Sequence, residues 1–189
     1  MDRLVKDWFG SAFNDLDPMI QKLHLSGGQL QGKVNLQFGE GLAGFIGRRL
    51  AVKVGLPNSP GEKDLKVEIK NNNGFLVWSR EFDRNNKMVS IFTPFDIYPN
   101  GFWREQTGVI KLDLGVKVID GGWYWQQKAI WFKSLQLPLW LFPSSNAYKK
   151  IVNGFYEFSV SFSLPILGKL FSYSGRLSLL EPDIKRATE

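Results

Sequence analysis

The fold class is decided by residues 65–82, which read Leu65-Lys-Val-Glu-Ile-Lys-Asn-Asn-Asn-Gly-Phe-Leu-Val-Trp-Ser-Arg-Glu-Phe82. Apolar and charged residues alternate before the Asn-Gly pair, and a second run with period-two spacing follows it. Alternate residues of a strand share a face, and Asn-Gly between two such runs is a strong hairpin signal. The stretch therefore predicts two antiparallel strands joined by a tight turn.

The same pattern extends in both directions along the chain. Residues 29–38 alternate strictly, and further strands are predicted up to residue 181, separated by turn sequences such as Asp120-Gly-Gly122. Short turns indicate antiparallel neighbours, and period-two spacing gives the sheet one dry face. We therefore predict a mainly β (α+β) fold, with a large curved antiparallel or barrel-like sheet of about nine strands.

The segment 134–149 interrupts this pattern with two prolines. We interpret it as a loop across one end of the sheet, with a helical turn near 145–152. Within the preceding strand, the spacing predicts that Trp123, Trp125 and Trp131 share a face.

Two segments have helical spacing instead. Residues 3–24 predict two short helices, the second beginning at Asp17 as N-cap with Pro18 in the first turn. Residues 41–51 predict a short helix in spite of their glycines, which are unfavourable in a helix. Its apolar side would carry Leu42, Phe45, Ile46 and Leu50. Both helical segments are available to cover the dry face of the sheet.

We expect the chain to form a single domain over residues 1–189. It would consist of a helical segment 3–24, a β-rich body 29–181 and a frayed, charged tail 182–189.

Composition excludes several functional classes. The sequence has no cysteine, which excludes disulfides and thiolate chemistry, and its one histidine, His24, cannot build a common zinc site alone. We interpret His24 as a helix-end residue that interacts with the terminal carbonyls. The glycines of 39–47 fit no phosphate-binding motif. We therefore expect no metal, no cofactor and no catalytic residue that the sequence can identify.

Charge and hydropathy bear on partners and location. The net charge is +6, but the basic residues are spread along the chain, whereas nucleic-acid binders concentrate them on one face. The N-terminus lacks the apolar core of a signal peptide, and no apolar run is long enough to span a bilayer. We expect a soluble, cytoplasmic protein that does not bind nucleic acid, with an undetermined oligomeric state.

Arg80 is the strongest functional signal, because it shares a face with Leu76, Trp78 and Phe82. A charge in an apolar row must be paired or must serve a ligand. The best partner is Glu105, whose strand also places Trp103 on that side. Two interpretations stay open: an interior site for a ligand, or a partly solvated face on which Arg80 merely stacks on Trp78. Phe75 and Val77 make the opposite face apolar too, so either face could be interior.

The leading hypothesis is non-catalytic binding of a small hydrophobic or amphipathic ligand in an aromatic-lined cavity. Arg80 would anchor a polar head group, which could be anionic. The alternative is an interaction module that docks on a protein or a membrane surface, and catalysis is the least favoured class. The predicted ligand-binding residues are Trp78, Arg80, Phe82, Trp103, Glu105 and Trp123.

Several short motifs give the chain a resemblance to a known family. They are Trp8-Phe9-Gly10 with Leu16-x-Pro18, the His24 region, Gly39 to Gly47 with Leu56-Pro57, Trp78-Ser-Arg80-Glu-Phe82, Glu105-Gln-Thr-Gly108 and Asp120-Gly-Gly122. Over nearly its full length the chain resembles the bacterial family catalogued as domain of unknown function 4166 (DUF4166). The resemblance implies an accessory or ligand-binding module, found alone or behind an oxidoreductase-like, nucleotide-binding domain. It singles out Trp78, Arg80, Phe82 and Glu105.

Overall fold

The computed structural model describes residues 3–180, and this part of the chain is a closed antiparallel β-barrel with three α-helices. The helices are α1 (Leu4–Phe9), α2 (Pro18–Ser26) and α3 (Gly41–Val54), with a 3-10 helix at Gly10–Asp15. The strands are β1 (Gly28–Phe38), β2 (Gly61–Asn72), β3 (Phe75–Phe82), β4 (Asn86–Phe95), β5 (Phe102–Thr107), β6 (Ile110–Ile119), β7 (Gly122–Phe132), β8 (Leu135–Leu137), β9 (Ser144–Val152), β10 (Phe155–Leu164) and β11 (Gly168–Leu180).

Ten of these strands close the barrel in the order β6-β5-β4-β3-β2-β1-β11-β10-β9-β7, and β7 pairs back with β6. The remaining strand, β8, shares one edge of β7 with β9: β9 pairs with residues 123–126, and β8 with residues 130–132. Closure leaves no unpaired strand edge in the ring. The predicted mainly β, barrel-like fold is therefore confirmed, with eleven strands where about nine were expected.

The two additional strands come from the proline-containing segment. Residues 135–137 and 144–152 are β8 and β9, so the expected helical turn near 145–152 is wrong. The loop is confined to residues 138–143, where both prolines lie. Pro138 and Pro143 stand just outside the strands, because proline cannot donate a ladder hydrogen bond.

The N-terminal helices plug one end of the barrel, which we call the closed end. Asp17 caps α2 by accepting a 2.8 Å hydrogen bond from the Met19 amide, as predicted. Backbone hydrogen bonds tie the plug to barrel turns, from Tyr98 N to Trp8 O and from Asp17 N to Gly121 O. The plug fills the barrel with buried side chains, namely Val5, Trp8, Phe9, Phe13, Leu16, Ile20 and Leu23.

The helix α3 lies at the other end, the open end, and packs in an unexpected way. Its predicted apolar side is only partly correct: Ile46 and Leu50 pack against the core, but Leu42 and Phe45 are exposed. The buried residues of the helix are instead small, namely Ala43, Gly44, Gly47 and Ala51. A Cβ at Gly47 would lie 2.2 Å from the Leu170 carbonyl oxygen in β11, so only glycine permits this approach. The glycines serve close helix-to-sheet packing, and this outweighs their poor helix propensity.

A β-bulge puts Trp131 on the opposite face of β7 from Trp123 and Trp125, so the prediction that the three share a face is wrong. Between Asp113 and Leu114 of β6 the register shifts, so that β7 has one extra residue there. Trp123 and Trp125 point inward, but Trp131 lies outside, where its indole donates a 2.8 Å hydrogen bond to Asp113 Oδ2. Asp113 also accepts two hydrogen bonds from Arg104.

No helix within residues 3–180 is long and apolar enough to cross a membrane. The predicted tail 182–189 lies outside the described residues, as does residue 181 of the predicted β-rich body.

Candidate functional site

The open end of the barrel contains a large apolar cavity. This outer cavity has a volume of about 460 Å³, within the ~300–1,000 Å³ typical of ligand sites. Its walls are mostly aliphatic and aromatic. The ionisable or hydroxyl-bearing side chains that line it, among residues 3–180, are Lys53, Glu105, Thr107 and Tyr173. It is formed by α3, the β5–β6 turn, the β7–β8 hairpin and the start of β11.

A smaller and more polar compartment lies deeper in the barrel. This inner chamber has a volume of about 70 Å³, and Met88, Glu105, Phe162 and Tyr173 line both it and the outer cavity. The two spaces are therefore adjacent compartments. The polar residues that line the inner chamber are Arg80, Glu105, Ser145, Tyr148, Lys149, Tyr156 and Tyr173.

Arg80 extends inward from β3 and is buried. One guanidinium nitrogen donates a 2.9 Å hydrogen bond to Ser90 Oγ, and Ser90 is 2.9 Å from Thr107 Oγ1. The same nitrogen lies 3.9 Å from Glu105 Oε1, which is an ion pair but too long for a hydrogen bond. Within the described part of the chain, the buried charge of Arg80 therefore has one carboxylate partner, at a distance longer than a hydrogen bond.

A second buried cation, Lys149 on β9, lies at the bottom of the inner chamber and is 2% exposed. Its Nζ is 2.8 Å from His24 Nε2. It also lies over three indole rings, with centroids at 3.8 Å for Trp123, 4.5 Å for Trp78 and 5.5 Å for Trp125. Within residues 3–180 no carboxylate forms an ion pair with Lys149, so hydrogen bonding and cation–π contacts are its polar environment.

Burial controls the protonation of this cluster. Loss of hydration lowers the pKa of Lys149 well below its ordinary value, and the positive charge of Arg80 lowers it further. Burial also lowers the pKa of His24, with Lys149 adding to the effect. The indole faces favour the charged amine, but we take desolvation as dominant because no carboxylate is paired with it. Burial raises the pKa of Tyr156 and of Tyr173, while Arg80 opposes that rise.

Three of the six predicted ligand-binding residues line the inner chamber: Trp78, Arg80 and Glu105. Arg80 and Glu105 are paired inside the barrel, so the interior face of β3 is the one that carries Arg80, and the solvated-face interpretation is wrong. Arg80 does stack on Trp78, at 5.2 Å from the ring centroid.

The other three predicted residues belong to packed regions and line neither compartment. Phe82 contacts Tyr173 edge to face. Trp103 packs on Trp8 of the plug and on Trp123. Trp123 forms one wall of the Lys149 site. These three side chains are therefore part of the packed aromatic core beside the two compartments.

The sequence interpretation missed Lys149 and misassigned His24. His24 is bonded to Lys149, and no contact of its imidazole with terminal helix carbonyls is present in residues 3–180, so the helix-end interpretation is wrong. Period-two spacing from Ser145 through Ala147 to Lys149 would have placed the lysine inward. That signal was lost because the prolines made the segment look like a loop. Ser90 carried a usable signal too, since it stands between Met88 and Phe92 in an apolar row.

The mouth of the outer cavity is surrounded by exposed apolar side chains. We call segments 108–111, 132–143 and 164–169 the rim. They carry eight of the 17 exposed large apolar side chains in the described part of the chain. These eight are Val109, Phe132, Leu135, Leu139, Trp140, Leu141, Ile166 and Leu167. The rim also contains three lysines and no acidic residue.

Comparison with known proteins gives one result. No curated protein matches the chain, and no solved structure matches it. The family model described as "Domain of unknown function (DUF4166)" matches residues 16–177, which include every predicted site residue and Lys149. The chain belongs to the DUF4166 family.

Proposed function

We propose that the protein binds a small, single-chain amphipathic ligand inside the barrel without chemically altering it. The observation that carries this proposal is the gradient of polarity along the two compartments. The outer cavity is apolar almost throughout, whereas the inner chamber adds the two basic side chains Arg80 and Lys149 to Glu105, which lines both compartments. A ligand with an apolar tail and a polar head would fit in one orientation, with its head innermost.

The physical basis is differential solvation. Burying an apolar tail in the outer cavity contributes about 25 cal/mol per Å² of apolar surface removed from water. The polar head loses hydration and must regain hydrogen bonds, which Arg80 and the hydroxyl groups of the inner chamber can supply. The plug closes the far end, so the open end is the expected route of entry.

Native mass spectrometry of the purified protein, followed by organic extraction, tests the proposal directly. We expect a co-purifying amphipath, or saturable binding of the neutral fluorescent probe N-phenyl-1-naphthylamine with displacement by fatty acids or fatty alcohols. A clean apo mass combined with no probe binding would refute a ligand-binding barrel.

A cavity-filling substitution localises the site. Leu112→Trp places an indole in the outer cavity and should weaken probe binding about tenfold or more, because the tail loses its space. Ile119→Trp is the matched control, since Ile119 lies on the same strand but is exposed near the closed end. Equal affinity in both variants would place the probe elsewhere.

Arg80→Ala tests the polar anchor. We expect weaker binding of an amphipath with the fold retained, and Arg176→Ala is the control because Arg176 pairs with Glu157 on the outer face. Unfolding of Arg80→Ala alone would make the Arg80–Glu105 pair a structural ion pair.

The rim favours a second function, contact with an anionic membrane surface. Exposed apolar residues around a cavity mouth, together with Lys111, Lys133 and Lys169 and no acidic residue, are the complement of a negatively charged bilayer. Among membranes and proteins as partners, this charge balance favours the membrane. Docking in this way would bring the cavity mouth to the source of an amphipathic ligand.

Vesicle co-sedimentation tests the second function. We expect binding to phosphatidylcholine vesicles that contain phosphatidylglycerol, weaker binding to phosphatidylcholine alone, and weakening by salt. Replacing Trp140 and Leu141 by serine should abolish binding. Replacing Ile97 and Phe155, which are exposed at the closed end, by serine should leave vesicle binding unchanged. Equal loss in both double variants, or no binding to either vesicle, would overturn membrane docking.

A further inference from the structure

We propose that the inner chamber is an oxyanion site in which Lys149, together with Arg80, anchors the acidic head group of the ligand. This inference rests on the proposed binding function and names its ligand class: a single-chain amphipath with a carboxylate or phosphate head. The two head groups share the chemistry of a compact oxyanion that accepts hydrogen bonds from cationic donors.

Basic side chains outnumber carboxylates in the inner chamber. Arg80 and Lys149 both line the inner chamber, and within residues 3–180 Glu105 is the only carboxylate that lines it. Glu105 lies 3.9 Å from Arg80 and forms no ion pair with Lys149. Asp113, which is buried, faces outward and is bound by Arg104 and Trp131. When protonated, Lys149 therefore lacks a carboxylate counter-charge within residues 3–180, and an entering oxyanion would supply one.

Buried hydrogen-bond donors without a partner lie around Lys149. The indole N–H groups of Trp78 and Trp123 are buried and have no partner within residues 3–180. Trp78 lines the inner chamber directly. The unsatisfied groups at this site include donors, and a buried donor without a partner is costly. A head group that only accepts hydrogen bonds suits this environment better than a second donor would.

His24 lies where its imidazole can hold the Lys149 amine in place. His24 comes from α2 of the plug and places Nε2 2.8 Å from Lys149 Nζ. An unprotonated Nε2 accepts a hydrogen bond from the amine whether the amine is charged or neutral. His24 therefore holds Lys149 in place between the indole rings without providing a charge. The titratable groups of the surroundings are His24 from α2, Arg80 from β3, Glu105 from β5, Tyr148 from β9, Tyr156 from β10 and Tyr173 from β11.

Protonation follows from this arrangement. Burial and Arg80 lower the pKa of Lys149 in the empty barrel. An oxyanion beside the amine acts in the opposite direction and raises that pKa. Binding of an acid should therefore be accompanied by uptake of up to about one proton, whereas binding of an alcohol should not.

The experiment compares three dodecyl amphipaths on the full chain: dodecanoic acid, dodecyl phosphate and 1-dodecanol, each displacing N-phenyl-1-naphthylamine. We expect at least one of the two acids to bind about tenfold or more tightly than the alcohol. The preferred acid identifies the head group as carboxylate or phosphate. Isothermal calorimetry in two buffers of different ionisation enthalpy then measures proton uptake.

Two lysine variants on one strand make the test specific. Lys149→Met removes the inward amine, and Lys150→Met removes the next lysine, which faces outward and pairs with Glu157. We expect Lys149→Met to lose the preference for the acid and the proton uptake while it still binds the alcohol. Lys150→Met should behave like the unmodified protein.

The outcomes separate the two proposals. Retention of the acid preference in Lys149→Met, or equal affinity of acid and alcohol in the unmodified protein, would overturn the oxyanion site and leave the ligand-binding barrel intact. Failure of all three amphipaths to displace the probe would count against the ligand-binding barrel as well. If Lys149→Met does not fold, Lys149→Arg replaces it: this variant keeps the charge, so the acid preference should persist and the proton uptake should disappear.

Discussion

At the closed end of the barrel the interior is packed with side chains of the plug, whereas the open end contains the outer cavity. Trp8, Phe9 and Phe13 of the plug are buried among the barrel aromatics, with ring contacts from Trp8 to Trp103 and from Phe9 to Trp123. At the open end, α3 lies against β11 through glycine and leaves about 460 Å³ of apolar space beside it. Similar aromatic and aliphatic residues line both ends.

The difference between the two ends indicates that the closed end contributes mainly to stability and the open end to binding. A close-packed plug gains dispersion contacts and apolar burial, whereas an unfilled apolar cavity forgoes them. Binding sites are drawn from the less stable regions of a fold. The closed end therefore supplies stability that allows the open end to remain unfilled. Four predictions test this division, in decreasing order of expected effect.

The largest effect should come from truncating phenylalanine at each end. Phe13 in the plug is 1% exposed, and Phe132 at the rim is 44% exposed. We expect Phe13→Ala to lower the free energy of unfolding by about 3–5 kcal/mol, because it leaves a cavity in packed core. Phe132→Ala should cost less than about 1 kcal/mol. Urea unfolding followed by tryptophan fluorescence measures both, and equal costs would contradict the division.

Enlarging a leucine should give the next largest difference. Leu23→Trp overpacks the plug and should cost about 1–3 kcal/mol. Leu112→Trp should be nearly neutral, because its indole enters the outer cavity. The same unfolding experiment compares them. A loss of stability in Leu112→Trp as large as in Leu23→Trp would mean that the outer cavity cannot accommodate the added volume.

The third prediction concerns pH and the histidine that joins the plug to the barrel. The folded protein lowers the pKa of His24 below its ordinary 6.5, so below about pH 6.5 the unfolded chain binds a proton that the folded protein does not. The contribution of His24 to stability should therefore fall as the pH falls through this range, by at most about 1.4 kcal/mol per pH unit. Measurement of urea midpoints from pH 7 to pH 5 checks this.

His24→Gln provides the control for the pH experiment, since His24 is the only histidine of the chain and carboxylates ordinarily titrate near pH 4. In this variant the slope between pH 7 and pH 5 should decrease by the His24 contribution, and any remaining slope of the same sign belongs to Lys149, whose pKa burial also lowers. An unchanged slope would contradict the role of His24.

The smallest effect on stability should come from exposed apolar residues at the two ends. Trp140 is 73% exposed at the rim, and Ile97 is 69% exposed at the closed end. Serine at either position should change the free energy of unfolding by no more than about 0.5 kcal/mol. Thermal melts measure both variants. A markedly larger loss for Trp140→Ser would mean that Trp140 packs over the mouth and closes it.

The accuracy of the sequence interpretation also differs between elements. Asp17 and Pro18 were placed correctly at the start of α2, because capping depends on a few neighbouring residues. The 145–152 segment was misassigned, because β9 is held by pairing with β10 and β7, which are distant partners. Propensity around two prolines could not reveal those partners.

The candidate site was predictable only in part, for a related reason. Arg80 was identified because its own strand makes it anomalous, and Glu105 followed from alternation in a neighbouring strand. Lys149 and His24 are 125 residues apart and become neighbours only when the plug enters the barrel. Neither residue is unusual within its own segment.

Local sequence patterns predicted nine of the eleven strands, most of their alternating faces, the helix cap and the charge in an apolar row, because each depends on residues close together along the chain. Long-range contacts close the sheet, turn Trp131 outward at a bulge and bring α3 onto β11 through glycines. They also place Lys149 among three indoles, with no carboxylate paired to it within residues 3–180. These features depend on strand register and on contacts between distant segments, which local periodicity does not encode.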